Sequence, residues 1–205
     1  MPPARAYLIL HGLANHRPPG HWQRWLAERL RSRGEAVAYP GLPDPDAPRR
    51  GPWEAALREH LTALAGRERI VVCHSLACLL WLRAGPEAAG PEGVARLLLV
   101  SPPASDRVPT EGAELRLDGL DAAEVRAGVA APVRIACSDA DPYAPPGTAE
   151  GYAEALGAEL EVVSGAGHIT PEDGYGAWPS VLEWCLDPAA RLRPAGAAGS
   201  TAPLP

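Results

Sequence analysis

Ile70-Val71-Val72-Cys73-His74-Ser75-Leu76-Ala77-Cys78-Leu79-Leu80 is the stretch that decides how the rest of this chain is read. Taken from its ends, two thiols bracket an imidazole, as a metal or redox site would have them. Taken from its middle, a serine stands between a short branched apolar run and a helix-forming one. The second arrangement is a nucleophile elbow: a strand, a very tight turn with serine at its apex, and a helix that starts at once, so that the hydroxyl projects from the sheet edge. Crowding at such a turn leaves little room two residues to either side, hence the usual Gly-x-Ser-x-Gly. Here Cys73 and Ala77 hold those positions; both are small, so the steric logic survives the departure.

Outward from the elbow, short branched runs followed by turn signals predict buried parallel strands at Ala6 to Leu10, Arg69 to Cys73, Ala95 to Ser101, Pro132 to Cys137 and Glu159 to Val163, with a weaker one at Ala36 to Tyr39. Between them, apolar residues recurring at three and four predict helices over Trp22 to Ser32, Trp53 to Ala65, Leu76 to Ala84, Thr148 to Leu156 and Trp178 to Leu186. This alternation predicts a single α/β domain over residues 1–187, a parallel sheet with helices on both faces, whose chemistry gathers where strands end and loops begin. The acidic, turn-rich segment from Ala104 to Ala131 shows no clear strand and is too short for a separate cap. The Ala/Pro/Gly-rich tail over 188–205 is expected to be flexible, because it carries too little apolar surface to order itself.

A serine hydroxyl is a weak nucleophile until a base can take its proton, and a neutral imidazole needs a carboxylate to fix its tautomer. In hydrolases built on such sheets the chain order is Ser, acid, His, with the last two on loops after later strands. Asp141 and His168 stand in that order after Ser75, each just past an expected strand. Asp139 competes for the acid role from the same loop. Pro142 favours Asp141, since its ring biases the preceding residue to an extended form that holds the carboxylate out; Asp139 then reads as a turn-capping residue. Acyl transfer also needs donors aimed at the developing oxyanion. The backbone N–H of Leu76 is one expected donor; that of Leu13, in His11-Gly12-Leu13-Ala14 after the first strand, is the other, with Gly12 permitting the close turn.

The remaining titratable residues take plainer readings. His11, His16 and His21 lie in a loop with Pro18, Pro19 and Gly20 and no carboxylate or thiol beside them, so they are not read as a metal site. His74 is expected to pack within the elbow and His60 to sit on a polar helix face. Cys73 and Cys78, at a strand end and a first helical turn, have no reason to converge on a metal, and no second Cys or His pair stands at zinc-site spacing. All four cysteines sit in or beside apolar runs and read as free thiols. A formal net charge of −6 with no basic block disfavours nucleic acid and membrane surfaces. The apolar run after the N-terminus is too short for a signal peptide core or a membrane span, so a soluble, cytoplasmic protein is expected.

With these residues placed, the chain resembles the small cap-less α/β-hydrolases related to retinoblastoma-binding protein nine. His11-Gly12 followed by His21-Trp22-Gln23-Arg24-Trp25 is similar to that family's first loop and helix, and Pro40-Gly41-Leu42-Pro43 with Trp53 to its next connection. Ser138-Asp139-Ala140-Asp141-Pro142-Tyr143 resembles its acid loop, which favours Asp141. Gly167-His168-Ile169-Thr170 through Gly174-Tyr175-Gly176-Ala177-Trp178-Pro179 is the most specific match, with Thr170 where asparagine is common. The resemblance, over about Tyr7 to Leu186, implies serine hydrolase activity on small esters or amides, including peptide-like or aminoacyl substrates, and no metal or organic cofactor. Two expectations follow: a serine hydrolase of small carboxylic esters working through Ser75, Asp141 and His168, or a hydrolase-fold binding protein with weak or no turnover. A protein partner is left open.

Overall fold

The computed structural model describes residues 4–117, 123 and 133–196. Strands β1 (Arg5–Leu10), β2 (Ala36–Ala38), β3 (Glu68–His74), β4 (Arg96–Val100), β5 (Val133–Cys137) and β6 (Glu159–Val162) form one six-stranded parallel sheet in the order β2-β1-β3-β4-β5-β6. Around it lie α1 (Trp22–Arg31), α2 (Arg50–Ala63), α3 (Leu76–Ala89), α4 (Thr148–Leu156) and α5 (Pro179–Leu186).

Alternate residues of each central strand feed opposite cores. Leu8, Leu10, Val71, Cys73, Leu97 and Leu99 pack with residues of α2, α3 and α4, whereas Tyr7, Ile9, Ile70, Val72, Leu98 and Val100 pack with those of α1 and α5. Burial on both faces is why these strands read as continuous apolar runs instead of alternating ones. Trp22, Trp53, Trp81 and Trp178 are wholly buried between sheet and helices, and truncating any one to alanine would cost roughly 3–5 kcal/mol.

Each expected strand and helix is present, with shifted bounds that have local causes, but β6 is an edge strand with Glu159 and Val162 exposed, not a buried one. The third helix runs beyond Ala84, through Gly85 and Pro86, to Ala89. Gly85 reads as a breaker, yet a Cβ there would lie 2.5 Å from the Trp81 indole, so the glycine admits that ring. Residue Trp178 is the extended N-cap of α5, not its first turn, and Pro179 opens the helix where its missing N–H costs nothing.

Within 104–131, the described part holds two short 3₁₀ turns, Ser105–Arg107 and Thr110–Leu115, the second burying Gly112 and Leu115; residues 118–122 and 124–132 lie outside the described residues. The looseness expected from Pro188 does not extend to residues 188–196. Leu192 is buried and its N–H donates to Glu161 Oε2, while Arg193 O accepts from Trp178 Nε1 and Ser180 Oγ. Composition missed this because residues 190–195 are held by hydrogen bonds to the body and by the single buried side chain of Leu192, with Ala190 and Ala195 packed beside it.

The chain runs from β1 outward to β2 and then returns to β3 on the other side of β1. Loops after β1 and β3 therefore leave in opposite directions and open a crevice at the carboxyl ends of these strands, the place where parallel sheets bind ligands. The elbow closes there.

Candidate active site

Ser75 follows the last residue of β3 and precedes the first of α3, with φ 56° and ψ −125°. A non-glycine residue in that region is strained by about 1–3 kcal/mol and persists only where its surroundings hold it. Its N–H donates to Val100 O on β4 at 2.9 Å, and its C=O accepts from Cys78 N at 2.8 Å. The turn thus closes with Cys73 and Ala77 in the usual glycine positions, both fully buried.

Three strand ends converge on this serine. Ser75 Oγ lies 2.8 Å from His168 Nε2, and His168 Nδ1 lies 2.9 and 3.0 Å from the two oxygens of Asp141. Asp141 is buried and also accepts from Tyr143 N at 2.9 Å, so its carboxylate is fixed by the turn that Pro142 opens. With Nδ1–H donated to the carboxylate, Nε2 carries the lone pair and accepts from the hydroxyl. Asp139 points elsewhere: it accepts from Ser164 Oγ and Gly165 N, both at 2.7 Å, tying the loop after β5 to that after β6. The Gly165 amide, then the Ser164 hydroxyl, lowers its pKa.

The loop after β1 abuts Ser75. A Cβ on Gly12 would lie 2.7 Å from Ser75 Cβ and 3.1 Å from Oγ, so glycine here serves close approach. Leu13 and Leu76 both border Ser75 in one cavity, and among the described residues neither backbone N–H has a hydrogen-bond acceptor. Two unengaged donors beside a serine are what an oxyanion requires.

Residues that hold His168 in place were missed at the level of sequence. His74 Nε2–H donates to His168 O at 3.0 Å, and Trp22 Nε1–H to Ile169 O at 2.9 Å, where Ile169 takes φ 56°. Asp173 Oδ2 accepts from His168 N, Thr170 N and Thr170 Oγ1 at 2.9, 3.1 and 2.9 Å. Its Oδ1 occupies the space a Cβ on Gly167 would need. The Thr-x-x-Asp spacing from Thr170 to Asp173, a capping box, was the available signal. Burial beside His168 and His21 keeps His74 well below the usual imidazole range, so it stays neutral and does not oppose a charged His168.

The other histidines scatter. His11 bridges loops, with Nδ1–H donating to Gly12 O and Nε2 accepting from Leu42 N, and burial lowers its pKa. His16 is exposed against Asp46, and His21 caps α1 through Gln23 N. All four cysteines are free and buried, with burial raising their pKa values. Among the described residues no group of His, Cys, Asp or Glu is arranged to hold a metal, and no helix is long and apolar enough to cross a membrane.

A sequence model described as serine hydrolase matches residues 7–186. Among solved structures, the ydeN gene product of B. subtilis is 24% identical over 89% of this chain and 97% of that one, with a TM-score of 0.77. A YdeN-like hydrolase of Pectobacterium atrosepticum is 25% identical, covering 88% of each chain, at a TM-score of 0.66. An esterase domain of a Rhodothermus marinus protein shares the fold at 16% identity, over 86% and 83% of the chains, at 0.62. No curated protein matches the chain. The sheet and its helices are those of the α/β-hydrolase fold, without a cap domain among the described residues.

Proposed function

This chain belongs to the serine hydrolase family, and we propose from that premise that it cleaves small carboxylic esters through an acyl-enzyme on Ser75. The observation that carries the reading is the unbroken run of contacts from Asp141 through His168 to Ser75 Oγ at the sheet's carboxyl edge. Ser75 Oγ attacks the ester carbonyl carbon while His168 Nε2 takes the hydroxyl proton. Asp141 stabilises the imidazolium, and the amides of Leu13 and Leu76 receive the oxyanion. When the tetrahedral intermediate collapses, the C–O bond to the leaving group breaks and His168 returns the proton to the departing oxygen. Water then repeats the sequence on the acyl carbon, giving the carboxylic acid and restoring the serine. Amide or aminoacyl substrates would follow the same path with a nitrogen leaving group.

The alternative of a binding protein without turnover drew its support from the missing elbow glycines, and the turn closes without them. The test is burst kinetics with p-nitrophenyl acetate. The wild type is expected to release a burst stoichiometric with enzyme, and Ser75→Ala and His168→Ala to release none. A folded wild type with no burst and no turnover would favour the binding protein.

A further inference from the structure

Two cavities that differ in polarity meet at the reacting atoms, sharing Leu13, Ala14, Ser75 and His168 as their common wall. The smaller, about 170 Å³, is completed by Leu76, Pro103, Val108, Pro109 and Tyr143. The larger, about 300 Å³, is lined by Asn15, His16, His21, His74, Thr170 and Glu172, among others. One side of Ser75 is therefore almost wholly apolar, while the other sets imidazoles, an amide, a hydroxyl and a carboxylate among apolar residues such as Pro18 and Pro171.

The apolar wall is fixed in place. Gly112 lacks the Cβ that would sit 2.9 Å from Leu76 Cδ2 and 3.1 Å from Val108 Cγ1, so the Thr110–Leu115 turn presses directly on both. Ser105 Oγ accepts from Leu117 N at 2.7 Å and donates to Leu117 O at 3.0 Å. Arg116 donates to Val108 O at 2.5 Å, and Tyr152 Oη to Pro103 O at 3.0 Å. The bonds of Ser105 and Arg116 brace the segment over 105–117 on itself, and Arg83 donating to Arg116 O and Arg50 N–H donating to Glu114 Oε2 hold it to the body, so the cavity it bounds has a set size.

The two halves of an ester-hydrolysis cycle say which end of a substrate belongs where. His168 Nε2 gives its proton to the leaving group and later takes one from water, so that water must arrive at the position the leaving group vacates. An ordered water needs two to four polar partners. Among the described residues the larger cavity supplies them beside His168, from Thr170, Glu172 and Asn15, while the smaller adds only Tyr143 to the shared Ser75 and His168. The leaving group therefore departs through the polar cavity, and the acyl chain lies in the apolar one.

Resting on Ser75 as the nucleophile, we propose that the Leu76/Val108/Tyr143 cavity is the acyl subsite for a short apolar chain, and that the His21/Thr170/Glu172 cavity takes a polar leaving group that is neutral or cationic. At about 30 Å³ for a water-sized group, the acyl subsite holds roughly five or six heavy atoms. Among the described residues no guanidinium or ammonium lines the polar cavity. The one carboxylate among its described lining residues is Glu172, His16 lies against Asp46, and burial keeps His21 and His74 neutral.

The experiment uses the full chain with p-nitrophenyl acetate, butyrate, hexanoate, octanoate and dodecanoate, on wild type, Val108→Phe and Val108→Ala. Expected are a kcat/KM maximum at butyrate or hexanoate, a hexanoate-to-acetate ratio at least about tenfold lower in Val108→Phe, and a raised octanoate-to-butyrate ratio in Val108→Ala. The butyrate esters of choline and of glycolic acid, differing in leaving-group charge, should be turned over with choline favoured, and Glu172→Gln should narrow that preference. Fluorophosphonate labelling of Ser75 in each preparation separates the outcomes. Labelled enzyme whose acyl ratios ignore both Val108 variants overturns the acyl subsite, and labelled enzyme that prefers the glycolate ester overturns the leaving-group subsite; neither touches the hydrolase reading. Failure of wild type to label removes that reading, and the subsite assignment with it.

Discussion

His21 makes the fold's stability depend on pH, and its two neighbours explain the sign. Nδ1 accepts the N-cap bond from Gln23 N at 3.2 Å, and Nε2 lies 3.1 Å from Asn15 Nδ2, so both ring nitrogens face N–H donors. A neutral imidazole can accept from one of them and an imidazolium from neither, so protonation breaks the cap of α1. Burial, the larger effect, with a smaller opposing pull from Glu172, lowers the pKa from 6.5 to about 4. The native state therefore binds this proton more weakly than the unfolded chain. Stability is undiminished above about pH 6.5, falls as the pH drops below it, and levels off once the native state also protonates near pH 4. The whole shift corresponds to about 3 kcal/mol, of which roughly 1 kcal/mol is lost by pH 5.5. His21→Asn keeps a side-chain acceptor at the N-cap and removes the titration. In urea melts, wild type should lose about 1 kcal/mol more than this variant between pH 7.5 and 5.5, a midpoint difference of roughly half a molar at a slope of about 2 kcal/mol/M. Equal losses in both proteins would refute the reasoning.

Other predictions concern the site's supports. Gly12→Ala forces a Cβ into Ser75, so kcat with p-nitrophenyl acetate should fall about a hundredfold while far-UV circular dichroism is unchanged. Asp173→Ala removes the acceptor of His168 N and of both Thr170 donors; kcat should fall roughly ten- to hundredfold with little change in KM, since the loss is of orientation and not of substrate contact. Restoring glycine at 73 and 77 should leave the stopped-flow acylation rate within about threefold, because the turn already closes. It should lower stability in urea by about 2 kcal/mol, from lost core contacts at Cys73 and a helical glycine at 77.

Much of the architecture was legible because the chemistry of this sheet is local in sequence. Burial on both faces writes β1, β3 and β4 as uninterrupted apolar runs, and the elbow sits where one such run meets a helix. Asp141 and His168 each follow a strand directly, so their positions could be read before their contacts. Strand order was not legible: β3 pairs with β1 and β4, and no residue in either partner names the other. The held part of the tail was illegible for a related reason, since Arg193 binds Trp178 and Ser180 through its backbone, which every residue possesses. His74 and Trp22 likewise act on the His168 loop by donating to carbonyls far along the chain. Asp173 alone of these announced itself, by its spacing from Thr170. The two cysteines of the opening stretch resolve into packing: Cys73 fills the buried side of the turn, and Cys78 Sγ lies against Cys73 O and Val100 O.

The central claim is that Ser75 is the nucleophile, and covalent trapping tests it most directly. Intact-protein mass spectrometry after treatment with a fluorophosphonate should show a single adduct on wild type that maps to Ser75, and none on folded Ser75→Ala. An adduct that persists in that variant, or one that maps to another residue, would contradict the account.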